Sequence, residues 1–162
     1  MIKLIMTTKV VTLSPDDTIA AASIKMSSAK ISGAPVVDES GKLIGILSEA
    51  DILGSMKTHQ RSLHLVYPSL SSISVTFKER ITEREALDAY REIENVKVRD
   101  IMTTEVEIAR EDEEIRGAIK KMVAKGINRL PVVDDENRVI GIVTRGDILR
   151  GIAAESNSNS KR

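Results

Sequence analysis

The sequence predicts a mixed α/β (α+β) fold made of two β-α-β-β-α repeats that pack through their sheets in pseudo-twofold symmetry. The chain aligns with itself at an offset of 96 residues, from 5–53 onto 101–149, and 21 of those 49 positions are identical. Within each copy, apolar runs of strand length alternate with stretches of helical periodicity. The chain is 41% apolar but only 2% aromatic, so aliphatic residues must build the core. A repeat of about 50 residues buries too little surface alone, which favours packing of the two copies.

Each repeat begins with the lead-in IMTT, at 5–8 and again at 101–104, followed by an apolar stretch that we interpret as a first strand, VVTL (10–13) or VEIA (106–109). The next segment, SPDDTIAAASIKMSSA, predicts a helix from Ser14, with proline at its first position and acids in its first turn. Met26 and the matching Met122 fall on the apolar face of this helix, so we expect both in the core.

Two further apolar runs in each repeat, APVVD and KLIGILS in the first copy, predict an antiparallel strand pair. The connectors ESGK and DENR consist of residue types that favour turns. A second helix is expected to start at Ser48 or Thr144, because Ser/Thr-x-x-Asp before an apolar pair is typical of a capped helix start.

These patterns divide the chain into repeat 1 (1–53), an inter-repeat segment (54–97), repeat 2 (98–152) and a polar tail (153–162) that we expect to be disordered. In the inter-repeat segment, SISVTFK (72–78) predicts a strand. Residues 82–95 predict a helix with a capping box of Thr82 and Glu85. We interpret this helix as a packing element that braces the two repeats, with a partner-binding helix as the alternative.

Composition argues against several classes of function. The 24 basic and 24 acidic residues balance, whereas nonspecific nucleic-acid binders carry a basic excess. There is no cysteine, and His59 and His64 lack a set of partner ligands, so no metal site is predicted. No apolar run approaches the ~20 residues that span a bilayer, which predicts a cytoplasmic protein with no membrane partner. No nucleophile–base pair is evident, so we do not predict an enzyme.

The duplicated order of IMTT, a capped helix, PVVD and G-h-h-[ST]-x-x-D (h, apolar) resembles a tandem pair of cystathionine-β-synthase (CBS) domains, a Bateman module, over about 100 of the 162 residues. The resemblance implies two clefts that bind adenosyl ligands for regulation, with AMP, ADP or ATP expected and S-adenosylmethionine or NAD-type ligands as alternatives. It implies no catalytic cofactor. It also implies a homodimer that acts as a stand-alone sensor, for example of energy state, and signals to an unidentified protein partner.

Carried over position by position, the resemblance assigns residues to each cleft. By position, Arg129 falls on the base side of the cleft that contains Ser48 and Asp51. Because the forked donors of a guanidinium suit a phosphate, we assign Arg129 instead to the cleft that contains Thr144 and Asp147. Cleft A is expected to contain Val10, Ile31, Ser32, Gly33, Arg129, Ile142, Thr144, Arg145 and Asp147. Cleft B is expected to contain Ile46, Ser48, Asp51, Val106, Ile127 and Asn128.

The chemistry of these residue types suits an adenosyl ligand. A carboxylate accepts two hydrogen bonds and so matches the vicinal hydroxyls of a ribose. A Ser or Thr at a helix N-terminus lies at the positive end of the helix dipole, where a phosphate binds well. The glycine that opens the motif is expected to let a ligand approach the strand. The alternative for Asp51 and Asp147 is a capping role without a ligand.

The two clefts are not equivalent in charge. Arg145 stands beside Thr144, whereas Glu49 stands at the matching position beside Ser48 and would repel a phosphate. We therefore expect cleft A to be the better phosphate site. Cleft B is expected to be weaker, empty, or suited to an uncharged or cationic adenosyl ligand. The alternative function is a protein-interaction adaptor with vestigial clefts, and a nucleic-acid binder has the least support.

Overall fold

The computed structural model describes residues 1–64 and 83–159. The strand expected at 72–78 and the Thr82 cap lie outside the described residues. Within them, the chain alternates helices and strands in the predicted mixed order. The first repeat contains helix α1 (Ile19–Ser28), strands β1 (Gly33–Val37) and β2 (Leu43–Ser48), and helix α2 (Glu49–His64). Then follow α3 (Glu83–Ile93) and the short α4 (Val98–Ile101). The second repeat contains α5 (Ile115–Lys125), β3 (Arg129–Val133), β4 (Val139–Thr144) and α6 (Arg145–Asn159).

The strand pairs form two antiparallel hairpins in equivalent registers. Pro35 lies opposite Ile46 in the first, and Pro131 lies opposite Ile142 in the second. The connecting turns place Gly41 and Asn137 in the left-handed region, with φ of 81° and 64°. Glycine and asparagine tolerate that conformation best, which confirms the turns predicted for ESGK and DENR.

The predicted first strands are reduced to single bridges. Leu13 pairs in parallel with Val36, and Ala109 pairs in the same way with Val132. The Leu13 N–H donates to Pro35 O at 2.9 Å, and its carbonyl accepts from the Val37 N–H at 3.0 Å. The strands do not extend because the chain crosses to the other repeat just before this point and enters a turn just after it.

The first helix starts later than predicted. Ser14 does not cap it, because the Ser14 hydroxyl accepts the Asp16 N–H inside a separate turn, which the Asp17 carboxylate closes by accepting the Ser14 N–H at 3.0 Å. The actual N-cap is Thr18, whose hydroxyl accepts the Ala21 N–H at 3.1 Å. The Ile19 N–H is satisfied from elsewhere in the chain, by Val96 O at 2.9 Å.

Each IMTT lead-in crosses to the hairpin of the opposite repeat. Thr7 exchanges two backbone hydrogen bonds with Ile142, and Thr103 exchanges two with Ile46, all at 2.9 Å. The two hairpins also meet at their turns, where the Leu43 N–H donates to Asn137 O at 2.9 Å. These contacts join the two small sheets and confirm the predicted packing of the repeats in pseudo-twofold symmetry.

Two apolar clusters form the core, one for each repeat. Met26 lies in the first and Met122 in the second, and both are buried as predicted. The crossing extends to the core, because Ile2 from the N-terminus belongs to the second cluster and Val98 belongs to the first. The core of each repeat is therefore completed by the N-terminal segment of the other repeat.

Helix α3 covers much of the predicted 82–95 helix and packs on the first repeat. Ile93 near its end is 1% exposed and lies in the first core cluster, and Tyr90 packs against that cluster. A packing role is therefore present, although the buried contact is with repeat 1 rather than equally with both repeats.

The expectation of a disordered tail from residue 153 is wrong as far as Asn159, because α6 continues to that residue. Helix propagation adds a hydrogen bond for each residue, and the polar sequence there contains no glycine or proline to stop it. The Ser156 hydroxyl also donates to Ile152 O at 3.1 Å. Across 1–64 and 83–159, none of the helices combines the length and apolar character that crossing a membrane requires.

Candidate functional site: two clefts between the repeats

The motif residues at the start of α2 and α6 form reciprocal caps. The Ser48 hydroxyl accepts the Asp51 N–H at 3.3 Å, and Asp51 Oδ2 accepts the Ser48 N–H at 2.8 Å and its hydroxyl at 2.9 Å. Thr144 and Asp147 repeat this geometry, at 3.3, 2.8 and 2.6 Å. Each threonine or serine thus gives its only hydroxyl proton to the aspartate, so Thr144 could donate to a phosphate only by leaving the cap.

The second carboxylate oxygen of each aspartate is held differently in the two repeats. Asp51 Oδ1 accepts the hydroxyl of Thr103 at 3.2 Å, from the lead-in that crosses over. Asp147 Oδ1 accepts a hydrogen bond from Arg150, one helical turn further on. Asp147 is only 5% exposed. The capping role is therefore present at both aspartates, and the second oxygen of each accepts a hydrogen bond from a side chain outside the cap.

The glycine that opens each motif does not serve the purpose expected from the sequence. A side chain at Gly45 would lie 2.5 Å from Met102 Sδ, and one at Gly141 would lie 2.6 Å from Met6 Sδ. Neither glycine lines either cleft. The space above each glycine is occupied by the crossing lead-in of the other repeat. The expectation that these glycines let a ligand approach the strand is therefore wrong.

Cleft A is a cavity of about 420 Å³ between the repeats. All nine residues assigned to it from the sequence line this cavity. The structure adds seven further residues to the lining: Thr7, Lys9, Val11, Lys30, Asn128, Gly146 and Arg150. Arg150 follows Asp147 by three residues, so helical spacing could have identified it. Lys9 and Lys30 carry no such local signal.

Cleft B is a larger cavity of about 680 Å³ on the other side of the repeat interface. All six residues assigned to it line the cavity. The structure adds Ser32, Glu49, Ala50, Thr103, Glu105, Glu107, Lys125, Gly126 and Arg129. Ser32, Asn128 and Arg129 line both cavities and form the wall between them.

The charges of the two clefts are opposite. Among the described residues that line cleft A, the cations are Lys9, Lys30, Arg129, Arg145 and Arg150, and the acid is Asp147. Among those that line cleft B, the acids are Glu49, Asp51, Glu105 and Glu107, and the cations are Lys125 and Arg129. Lys125 is already paired with Glu107, with 3.4 Å between Nζ and Oε1. Cleft A therefore offers the stronger attraction for an anion.

A third cavity of about 690 Å³ lies between α1, α2 and α3, and its lining includes Glu49 and Leu53 of the duplicated motif. It is lined mainly by apolar residues, among them Ile52, Met56 and Tyr90. Among the described residues that line it, Lys30 is the only cation, and neither Asp51 nor Asp147 is present. We therefore keep the candidate site in the two clefts.

A protein-family model for the CBS domain matches the chain twice, at residues 2–58 and 98–154. The chain belongs to the CBS domain family. It is 46% identical over 124 residues to the uncharacterized protein MJ1426 of Methanocaldococcus jannaschii, a match that covers 76% of this chain and 74% of that one. The resemblance identified from the duplicated motif is thus confirmed.

Two further comparisons show the range of this CBS family. The chain is 37% identical over 141 residues to inosine-5′-monophosphate dehydrogenase of Methanocaldococcus jannaschii, covering 87% of this chain but 21% of that enzyme. The solved CBS domain pair of protein MJ0100, in complex with 5′-methylthioadenosine and S-adenosyl-L-methionine, matches with a TM-score of 0.70 and 27% identity. That match covers 96% of this chain and 97% of the other, and it supports the tandem CBS architecture described above.

Proposed function

We propose that this CBS pair is a regulatory module that binds adenosyl ligands, with AMP, ADP or ATP in cleft A. The observation that carries the proposal is the arrangement in cleft A, where a buried aspartate at a helix start lies among five cations. A ribose requires an acceptor, and a phosphate requires cationic donors. The related MJ0100 pair, solved with two adenosyl compounds, supports the ligand class.

Each part of a nucleotide has a counterpart in cleft A. Aliphatic side chains of Val10, Ile31 and Ile142 provide apolar surface for an adenine ring. Asp147 Oδ1 would exchange its contact with Arg150 for the ribose hydroxyls, which releases that guanidinium towards the phosphates. The first turn of α6 contributes few free donors, since the Arg145 N–H donates to Asn128 O at 3.1 Å and the Asp147 N–H donates to Thr144. The phosphates therefore depend mainly on the cationic side chains.

Calorimetric titration with AMP, ATP and S-adenosylmethionine tests the proposal. We expect Asp147→Asn to keep the cap, because the amide oxygen still accepts the Thr144 N–H, but to weaken AMP binding in cleft A by about tenfold, since the charge-assisted bond to the ribose is lost. Asp51→Asn is the matched control in cleft B and should leave the tighter AMP site unchanged. No heat with any of the three ligands would refute the proposal.

We also propose that the module acts through self-association and a protein partner, in the cytoplasm. Leu53 on α2 and Leu149 on α6 occupy equivalent positions and are 55% and 68% exposed, which suits a face that pairs with a second copy. A ligand would change the output by its difference in affinity between two arrangements of the repeats. Light scattering during size-exclusion chromatography, with and without AMP, measures the dimer, and a monomer at micromolar concentration in both conditions would contradict it.

A further inference from the structure

The Arg129 side chain lies in the wall between the two clefts. It lines both cavities, as do Ser32 and Asn128. The guanidinium donates to the Ser32 hydroxyl across the repeat interface, and its Nε donates to Asn128 Oδ1 at 2.9 Å. A small rotation about the side-chain torsions would therefore direct the same charge towards either cavity.

The chain provides this arginine only once. The equivalent position in the first repeat, 96 residues earlier, is Gly33, which has no side chain. Its space is used by the arginine, because a Cβ at Gly33 would lie 2.9 Å from Arg129 Cζ. The pseudo-twofold symmetry of the repeats is thus broken at the wall, where a single guanidinium serves two equivalent clefts.

The two clefts depend on this charge to different degrees. Without Arg129, the described lining of cleft A still contains four cations. The described lining of cleft B would contain only Lys125, which is paired with Glu107, against three further acids. Burial lowers the pKa of the Arg129 guanidinium from its ordinary value, while Glu49 and Asp51 of cleft B act in the opposite direction. The guanidinium therefore serves as the counterion of the cleft B acids.

We propose that Arg129 determines which ligand charge cleft B accepts, and that an anionic ligand in cleft A lowers the affinity of cleft B for a second anion. The proposal rests on the proposed function, because it requires adenosyl ligands in both clefts. An anion in cleft A attracts the guanidinium and leaves the cleft B acids uncompensated. By linkage the effect is reciprocal, and couplings between sites are commonly about 5- to 150-fold in affinity. We expect about tenfold here, because the clefts are open to solvent and salt.

The test requires a separate signal from each cleft. Val10 lines cleft A only, and Val106 is its counterpart in cleft B. Methyl NMR of these two valines during an AMP titration therefore gives one binding curve for each cleft in the same molecule. The variant Lys9→Gln/Arg145→Gln removes two exposed cations that line cleft A but not cleft B, so it weakens AMP binding in cleft A without changing the lining of cleft B.

Competition between the two clefts for the Arg129 guanidinium and a simple Coulomb attraction predict opposite changes in the affinity of cleft B for AMP in this variant. Removing two positive charges should, by Coulomb attraction alone, slightly weaken AMP binding in cleft B. If an anion bound in cleft A attracts the Arg129 guanidinium, weaker AMP binding in cleft A leaves the guanidinium free to face cleft B. The affinity of cleft B for AMP then rises by about tenfold in this variant. Uncharged adenosine is the control ligand, and its affinity for cleft B should change less than twofold.

Arg129→Gln, combined with Lys9→Gln/Arg145→Gln, completes a double-mutant cycle. Glutamine removes the positive charge but keeps an amide that can donate to Ser32. In this background, AMP binding at Val106 should be at least tenfold weaker than in the Lys9→Gln/Arg145→Gln protein that keeps Arg129, and the Lys9→Gln/Arg145→Gln change should no longer raise it. Arg129→Ala repeats the measurement should the glutamine variant fold poorly. An unchanged or weaker cleft B in the Lys9→Gln/Arg145→Gln protein would overturn the coupling while leaving the proposed function intact. No response of either valine to AMP, ATP or adenosine would overturn both.

Discussion

Lys30 and Gly126 occupy equivalent positions at the C-terminal ends of α1 and α5. Both adopt the left-handed conformation, with φ of 54° and 63°. In each case the following residue, Ile31 or Ile127, donates its N–H to the carbonyl of a methionine five residues earlier at 3.0 Å. The backbone is the same in the two repeats, but only the second uses the residue type that accepts it without strain. Lys30 lines cleft A, so the first repeat retains a cation at a strained position.

We expect Lys30→Gly to raise the free energy of unfolding by about 1 kcal/mol, because it relieves the left-handed strain. Gly126→Lys should lower it by about the same amount for the same reason. Chemical denaturation of both variants measures the two effects. If Lys30→Gly destabilised the protein, the strain would not be the dominant effect at this position. The same variant should bind AMP more weakly, since it removes a cation from cleft A.

At the scale of elements, the two hairpins are held by acidic turns. Asp38 Oδ1 accepts the Ser40 hydroxyl at 2.7 Å and the backbone N–H groups of Lys42 and Ser40, both at 2.9 Å. These hydrogen bonds, the one from the Ser40 hydroxyl above all, lower the pKa of the Asp38 carboxyl. In the second hairpin the Arg138 backbone N–H is the main cause that lowers the pKa of Asp134.

A lowered pKa in the folded state predicts how stability depends on pH. Above the unfolded-state pKa of about 3.9, both carboxylates are ionised and their contribution to stability is fully present. That contribution is lost as the pH falls through the folded-state pKa, because the unfolded chain binds more protons there. We expect the urea midpoint of the wild type to fall between pH 6 and pH 3 more than that of Asp38→Asn/Asp134→Asn.

Glu39→Gln is the control for this pH dependence, because it removes a carboxylate from the same turn without touching the Asp38 hydrogen bonds. It should follow the wild type across this range. Equal pH dependence of the wild type and the double asparagine variant would show that the turn carboxylates do not contribute as described.

At the scale of the molecule, the crossed lead-ins make the repeats interdependent. Thr7 completes the second hairpin and Thr103 completes the first, while Ile2 and Val98 fill the opposite cores. Neither repeat retains its own set of contacts if the other unfolds. The two repeats are therefore expected to unfold in one transition, although each has its own apolar cluster.

Leu47→Ala tests this interdependence from the first repeat. Leu47 is fully buried, and its truncation should cost about 2–5 kcal/mol. Native-state hydrogen exchange can follow Val37 in the first repeat and Val133 in the second, whose N–H groups donate to Leu13 O and Ala109 O. We expect both amides to lose protection by the same factor. Loss at Val37 with full protection at Val133 would mean that the repeats unfold separately.

The features that the sequence alone determined are those that depend on residues close together in the chain. The caps between residues three apart and the Gly41 and Asn137 turns are local, and the structure confirms them. The duplication repeats the same local pattern at an offset of 96 residues. The resemblance of the duplicated motif to a known family placed the fifteen assigned residues around two cavities. The error at Ser14 was local as well, since one hydroxyl could cap either a turn or a helix.

Tertiary structure alone decided how the two copies cross and which distant residues join each cleft. Lys9 and Lys30 reach cleft A only because the repeats face each other, and no periodicity marks them. The motif glycines Gly45 and Gly141 proved to accommodate Met102 and Met6 of the crossing lead-ins, which lie 57 and 135 residues away along the chain. Arg129 bonds to Ser32, 97 residues away, so its place between the clefts depends on long-range packing. Such contacts depend on the three-dimensional approach of distant segments, which local sequence patterns do not specify.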